Sequence, residues 1–142
     1  VNFRRLFIMR KDLHMSTGKL LAQVSHCAEG YWTRALRRNA HLEGGSYRCE
    51  MEIPQGIFES YVEGAFVKTV CEARNKIHLL KAKTAAEEVG LVENVDFGLI
   101  FDNCLTELTP EEPNGTTLTG IWFRPMPDDV AHAISKKYQL YR

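Results

Sequence analysis

The sequence predicts an α/β fold: a three-layer sandwich in which helices cover both faces of a four-stranded mixed sheet. Two observations lead there. Short apolar runs and amphipathic stretches follow one another in the order strand, helix, strand, helix, strand, strand, helix. The first two strand–helix units favour a parallel crossover, whereas the last two strands need an antiparallel or longer connection. The composition agrees, with 44% apolar and 25% charged residues, ordinary values for a globular domain. A length of 142 residues suits one domain, 1–142, with a less regular insert at about 40–64.

Leu6, Phe7, Ile8 and Met9 form the apolar centre of a first strand over Phe3–Met9. Ser16 or Thr17 then caps a helix that runs from Lys19 to about Arg38. Leu20, Val24, Cys27 and Tyr31 recur on it at spacings of three or four, which makes one apolar face. Within the insert, Gly44-Gly45 breaks the chain, Pro54-Gln55-Gly56 marks a turn, and Ile57–Val62 reads as a short helix. Ala65–Cys71 is the second strand. Asn75–Val89 is a helix whose apolar positions include Ile77, Leu79, Leu80, Ala82 and Ala86. Phe97–Phe101 is an almost wholly apolar strand, the mark of burial on both faces. A loop with two prolines leads to a last strand, Thr117–Phe123, and a last helix over Pro125–Tyr138.

Several function classes are disfavoured. No run approaches the ~18 apolar residues of a membrane span. The opening VNFRRLFIMRKD has charges on both sides of a short apolar run, a poor signal peptide, so the expected location is cytoplasmic. The four cysteines form no C-x-x-C pair, and the five histidines have no ligand spacing, so no metal is expected. The net charge is zero but unevenly spread. Residues 1–50 hold nine Lys/Arg against four Asp/Glu, a net of +5, and the remainder hold nine against fourteen, a net of −5. A positive face on a neutral molecule can attract a polyanion, and Lys19, Arg10, Lys11, Arg34, Arg37 and Arg38 are its expected members.

Three stretches could carry chemistry. Lys19, Gln23 and His26 stand at i, i+4 and i+7 on the first helix and share a face, although a solvated polar face has the same spacing. The Gly18-Lys19 pair lacks the remaining glycine and the Ser/Thr of a phosphate loop, which excludes that reading. Asp102 directly follows the apolar strand, and α/β sheets build their sites at the carboxyl ends of strands. An Asp there can equally begin a turn. Thr117 and Thr119, two apart on the last strand, share a face.

Together these stretches resemble the second-type (archaeal and eukaryotic) peptidyl-tRNA hydrolases. That family reads close to K-M-G-K-G-K-x-A-A-Q-x-S-H-A after its first strand, and here Met15, Gly18, Lys19, Ala22, Gln23, Ser25 and His26 are kept. The helix ends in a family-like Ala35-Leu36-Arg37-Arg38-Asn39. The later D-A-G-R-T-Q-[IV] is met by Asp102, Thr106 and Leu108, with Cys104 for the Gly, Leu105 for the Arg and Glu107 for the Gln. The closing strand aligns through Thr117, Thr119, Ile121 and Pro125.

The resemblance implies hydrolysis of the ester that links a peptide to the terminal ribose of tRNA, without a cofactor. It implies catalytic roles for Lys19, Asp102 and Thr106, and places Gln23, His26, Thr117, Thr119, Arg37 and Arg38 in substrate binding. Acylated tRNA is the implied partner, and a homodimer is consistent with the family. The alternative is a non-catalytic RNA- or protein-binding module that retains the fold. A thinned basic run before the helix and a longer loop between Thr106 and Thr117 favour that alternative, whereas joint retention of Lys19, Asp102 and Thr106 favours the enzyme.

Overall fold

Strand β1 (Phe3–Arg10) is the axis on which the chain assembles, and its residues 5–10 are all buried. The computed structural model describes residues 1–142. On one side β1 pairs in parallel with β4 (Lys68–Ala73), and on the other it pairs antiparallel with β6 (Thr117–Phe123). β5 (Phe97–Asp102) pairs antiparallel with β6, so the long strands run in the order β5-β6-β1-β4. The expected mixed sheet is therefore present, but it has six strands rather than four. β7 (Met126–Pro127) pairs with the start of β1, and β8 (Gln139–Leu140) pairs with β4. Two-residue strands are too short to leave a periodic signal. Their formation also shortens the last helix, α4, to Asp128–Ser135.

The expected three layers are present. One face of the sheet carries α1 (Thr17–Asn39), whose Cys27 and Tyr31 pack with Phe7, Met9, Trp122 and Ile57. The other face carries α3 (Lys76–Glu88) and α4, where Leu79, Ala82, Ala86, Ala131 and Ile134 meet Leu6, Ile8, Leu118 and Ile121. On α3, Ile77 is 71% exposed and His78 is buried in its stead.

The stretch 40–64 is more ordered than its sequence suggests. Gly44 and Gly45, both at positive φ, form the two-residue turn of a hairpin between β2 (Ala40–Glu43) and β3 (Ser46–Cys49). α2 (Gln55–Ile57) continues directly into a π-helical turn, Phe58–Val62, and together they bury Ile57 and Tyr61. The second strand starts at Lys68 rather than Ala65, because Phe66 takes a left-handed φ of 54° that extended pairing does not allow.

Two devices fix α1 on the sheet. Arg5 is fully buried without a carboxylate, and its guanidinium donates to the carbonyls of Phe123 at 2.6 Å and of Cys27 and Ala28 at 3.0 Å. It also lies 4.9 Å from the centre of the Phe7 ring. Burial lowers its pKa to about 10, so the charge persists at neutral pH. The second device is the Trp122 indole, which fits between Gly30 of α1 and Gly98 of β5. A Cβ at those positions would lie 2.4 Å and 2.6 Å from the ring.

Candidate active site

β1, β4 and β5 are mutually parallel, so Arg10, Ala73 and Asp102 end at one edge of the sheet. The N-terminus of α1 opens at Asp102. Ser16 is the N-cap there, and its hydroxyl accepts from Lys19 N–H at 3.4 Å. Lys19 and Gln23, one turn apart, both point to Asp102. Lys19 Nζ is 2.8 Å from Asp102 Oδ1, and Gln23 Nε2 donates to the same oxygen at 3.2 Å. Cys104 N–H donates to Oδ2 at 2.9 Å. Lys19 Nζ also donates to Thr106 Oγ1 at 3.2 Å.

The position of Gln23 is set from behind. Thr119 Oγ1 donates to Gln23 Oε1 at 2.7 Å, and both residues are buried. A bulge makes this reach available. Ile100 pairs with Gly120 and Phe101 with Leu118, so Thr119 has no partner across the ladder. The slip also explains why Leu118 and Ile121, three apart, enter the same core cluster. Thr117 instead closes the loop before β6. Its hydroxyl donates to Thr109 O at 2.6 Å and accepts from Glu111 N–H at 3.0 Å.

The structure thus joins Lys19, Gln23, Asp102, Thr106 and Thr119 in one network. His26 is exposed and outside it: it shares the face, but seven residues beyond Lys19 put it about 10 Å further along α1, out of reach of Asp102. Arg37 and Arg38 are in the last turn of α1, about 27 Å along the axis from Lys19. Arg38 donates to Asn94 O at 2.7 Å. Arg10 does not belong to a positive face at all. It is 3% exposed and carries paired hydrogen bonds to Asp12 and Glu111.

Glu107, which the sequence offers only as a departure from the family's Gln, proves to be a contributor. It accepts from Ser16 N–H at 2.8 Å and from Ser16 Oγ at 2.6 Å, which ties the Asp102–Glu107 loop to the start of α1. A carboxylate beside unpaired helix N–H groups is favourable, and the Ser16 bonds lower the Glu107 pKa.

The carboxylate of Asp102 is held in its charged form. Burial alone would raise its pKa, but the bonds from Lys19 and Cys104 N–H, the Lys19 charge and Gln23 together lower it below the usual carboxylate range. Glu111 is likewise lowered by its bonds with Arg10, against the effect of burial. A depressed folded-state pKa gives stability that is complete above the unfolded value and is lost as pH falls through the folded one. The contribution of these two carboxylates to the urea midpoint should therefore be constant above about pH 5 and be lost below about pH 4. Glu111→Gln should shallow that acid slope; an unchanged slope would remove Glu111 from the account.

Comparison with known proteins decides the family. A family model described as "Peptidyl-tRNA hydrolase PTH2" matches residues 3–141. The chain belongs to that family. Among its relatives, a peptidyl-tRNA hydrolase of Thermococcus sibiricus is 30% identical over 97% of both chains. One of Thermococcus onnurineus is 28% identical, also over 97% of both. A probable peptidyl-tRNA hydrolase 2 of Dictyostelium discoideum is 23% identical over 97% of this chain and 54% of its own length. A solved structure from Agrobacterium, titled as a protein of unknown function, shares the fold with a TM-score of 0.56 at 12% identity. The match covers 100% of this chain and 99% of that one.

Against the peptidyl-tRNA hydrolase motif, the loop after Asp102 gains a physical explanation. Cys104 stands where the family pattern has Gly, and its φ is 59°, a conformation that costs a side chain about 1–2 kcal/mol. Cys104→Gly should relieve that strain while keeping the N–H bond to Asp102. Unfolded-state freedom offsets part of the gain, so the expected stabilisation is about 0.5–1 kcal/mol in urea unfolding. Destabilisation would show that Cys104 Sγ contributes more than its backbone costs.

Proposed function

We propose that the protein hydrolyses the ester of peptidyl-tRNA at the Lys19–Asp102–Thr106 cluster. Membership of the peptidyl-tRNA hydrolase family supplies the reaction, and the 2.8 Å approach of Lys19 Nζ to Asp102 at the carboxyl edge of the sheet is the observation that carries the site. Water attacks the acyl carbonyl, the bond from that carbon to the ribose oxygen breaks, and the ribose oxygen takes up the proton.

The network divides the labour. Asp102 Oδ1 is occupied by Lys19 and Gln23, and Oδ2 by a single N–H, so Oδ2 has a lone pair free to orient the water. With its pKa lowered, Asp102 is a weak base and acts chiefly by aligning water and stabilising positive charge. An ammonium has three donors. Those of Lys19 go to Asp102 and Thr106, leaving one for the oxygen that becomes negative as the carbonyl is attacked. Thr106, in turn, keeps the lysine from collapsing entirely onto the carboxylate. Gln23 and Thr119 bind no substrate in this scheme; they hold Asp102 still.

The reaction so assigned belongs in the cytoplasm, with acylated tRNA as the partner. No helix of the chain is long and apolar enough to cross a membrane. Purified protein incubated with a purified peptidyl-tRNA should release free tRNA in multiple turnovers. Binding without any release would favour the non-catalytic module instead.

A further inference from the structure

We propose that a pocket between α3 and the end of α4 binds phosphate groups of the tRNA body, as a second site separate from the ester site. The inference rests on the proposed reaction. The pocket has a volume of about 590 Å³, and Arg74, Lys81, Lys136 and Lys137 stand on its walls. None of the four forms an ion pair with a carboxylate, unlike Arg4, Arg10, Lys19, Lys76, Lys83 and Arg124 elsewhere. Glu88 at the far end of α3 is the one carboxylate on the wall. In the adjoining hollow, Glu72 is engaged by Arg142 N–H at 3.1 Å.

The floor is rigid. His78 stacks on Tyr138 with ring centres 4.4 Å apart, and Tyr138 Oη donates to His78 O at 2.7 Å. His78 Nδ1 accepts from Arg74 N–H at 2.9 Å, which fixes the backbone that carries Arg74. Four unpaired cations in a portion of the chain with a net charge of −5 therefore line one concave, well-supported surface.

Position argues for nucleic acid over a small phosphate. Arg74 follows the last residue of β4, and Asp102 ends β5, so both lie at the same edge of the sheet. Three inter-strand steps separate them, roughly 14 Å at about 4.8 Å each. Of the acidic side chains between them, Glu112 is paired with Lys76, while Asp12 and Glu111 share Arg10. In this proposal a tRNA whose terminal ester sits at Asp102 turns round this edge, from the α1 face to the α3–α4 face, where the pocket offers cations to its phosphates. Arg34, Arg37 and Arg38, by contrast, are toward the far end of α1.

The test compares wild type with the triple variant Lys81→Gln/Lys136→Gln/Lys137→Gln. Arg74→Gln/Lys81→Gln serves as a second variant that leaves the α4 terminus untouched. Two substrates are used: a full peptidyl-tRNA, and an acylated trinucleotide carrying only the ester end. For the triple variant, KM for the full substrate should rise about tenfold at constant kcat. Its log–log salt slope for tRNA binding should shallow by roughly 0.7–0.9 for each phosphate no longer neutralised. Turnover of the trinucleotide should not change.

The same slope in variant and wild type overturns the proposal. So does an equal loss on both substrates, or a loss in Arg74→Gln/Lys81→Gln matched by the charge-equivalent control Arg48→Gln/Lys68→Gln. Inorganic phosphate at constant ionic strength should weaken tRNA binding to wild type more than to the triple variant. If phosphate binding is lost in the variant while tRNA binding stays intact, the pocket serves a small phosphate and the tRNA reading fails. Should wild type cleave neither substrate, the reaction assigned above fails, while the salt slope still reports on the pocket.

Discussion

Asp102→Asn is expected to lower kcat for peptidyl-tRNA by roughly 10²-fold or more, and Lys19→Ala by a similar factor, the usual cost of removing a positioned acid–base group or oxyanion donor. The two variants should part company in binding. Asn keeps a carbonyl oxygen that can accept from Lys19 and Gln23, so the helix-side contacts should survive, while its NH2 faces Cys104 N–H and loses that one bond. It removes a negative charge close to the substrate phosphates, so tRNA affinity should hold or improve. Lys19→Ala removes a cation and leaves Asp102 held only by Gln23 and Cys104 N–H, so affinity should fall along with kcat. Both effects should be non-additive in the double variant, because the residues act as one ion pair. Full activity in both single variants would place the reaction elsewhere on the molecule. Additive losses would break the shared mechanism.

The second large effect is on stability. Gly98→Ala places a Cβ 2.6 Å from the Trp122 ring, and Gly30→Ala places one 2.4 Å away. Neither the ring nor the two backbones can retreat, since Trp122 is 2% exposed and packs with Phe7, Met9, Cys27 and Tyr31. Overpacking of this kind costs about 1–3 kcal/mol or more, and roughly 3 °C of melting temperature accompanies each kcal/mol in a chain of this size. A drop of about 3–9 °C is therefore expected for either variant. The consequence extends to the site. α1 carries Lys19 and Gln23 while β5 carries Asp102, and the indole between Gly30 and Gly98 sets the distance between these elements. A stable Gly98→Ala protein should consequently show reduced kcat. A variant with an unchanged melting temperature would mean that the indole moves aside without cost.

Much of the architecture was legible because the long elements report their own environment. β1 is a near-continuous apolar run buried on both faces, and α1 repeats its apolar residues every three or four positions, whereas the equally apolar β5 proves to be the edge strand with Phe101 46% exposed. The chemistry was legible in part for a related reason. Lys19 and Gln23 share a helix face by periodicity alone, and Asp102 stands at a strand end, where α/β sheets build sites. Their convergence on one carboxylate oxygen follows from those local rules once β5 and α1 are neighbours.

What tertiary structure alone decided is whatever depends on an extra residue or on a partner far along the chain. The bulge at Thr119 turns an unremarkable strand threonine toward Gln23, 96 positions away. Arg10 reads as a surface cation in sequence, but Glu111, 101 positions on, draws it into a buried ion pair. Arg5, with no carboxylate partner, is buried as well, and only the carbonyls of α1 and β6 make its burial tolerable. The charge asymmetry between the first fifty residues and the rest pointed to one basic face. Folding instead gathers Arg74, Lys81, Lys136 and Lys137 out of the acidic portion. Periodicity is written into each segment, since it needs only the next turn or the next residue. The pairing of one charge with another is written only in the packing of segments that the chain brings together last.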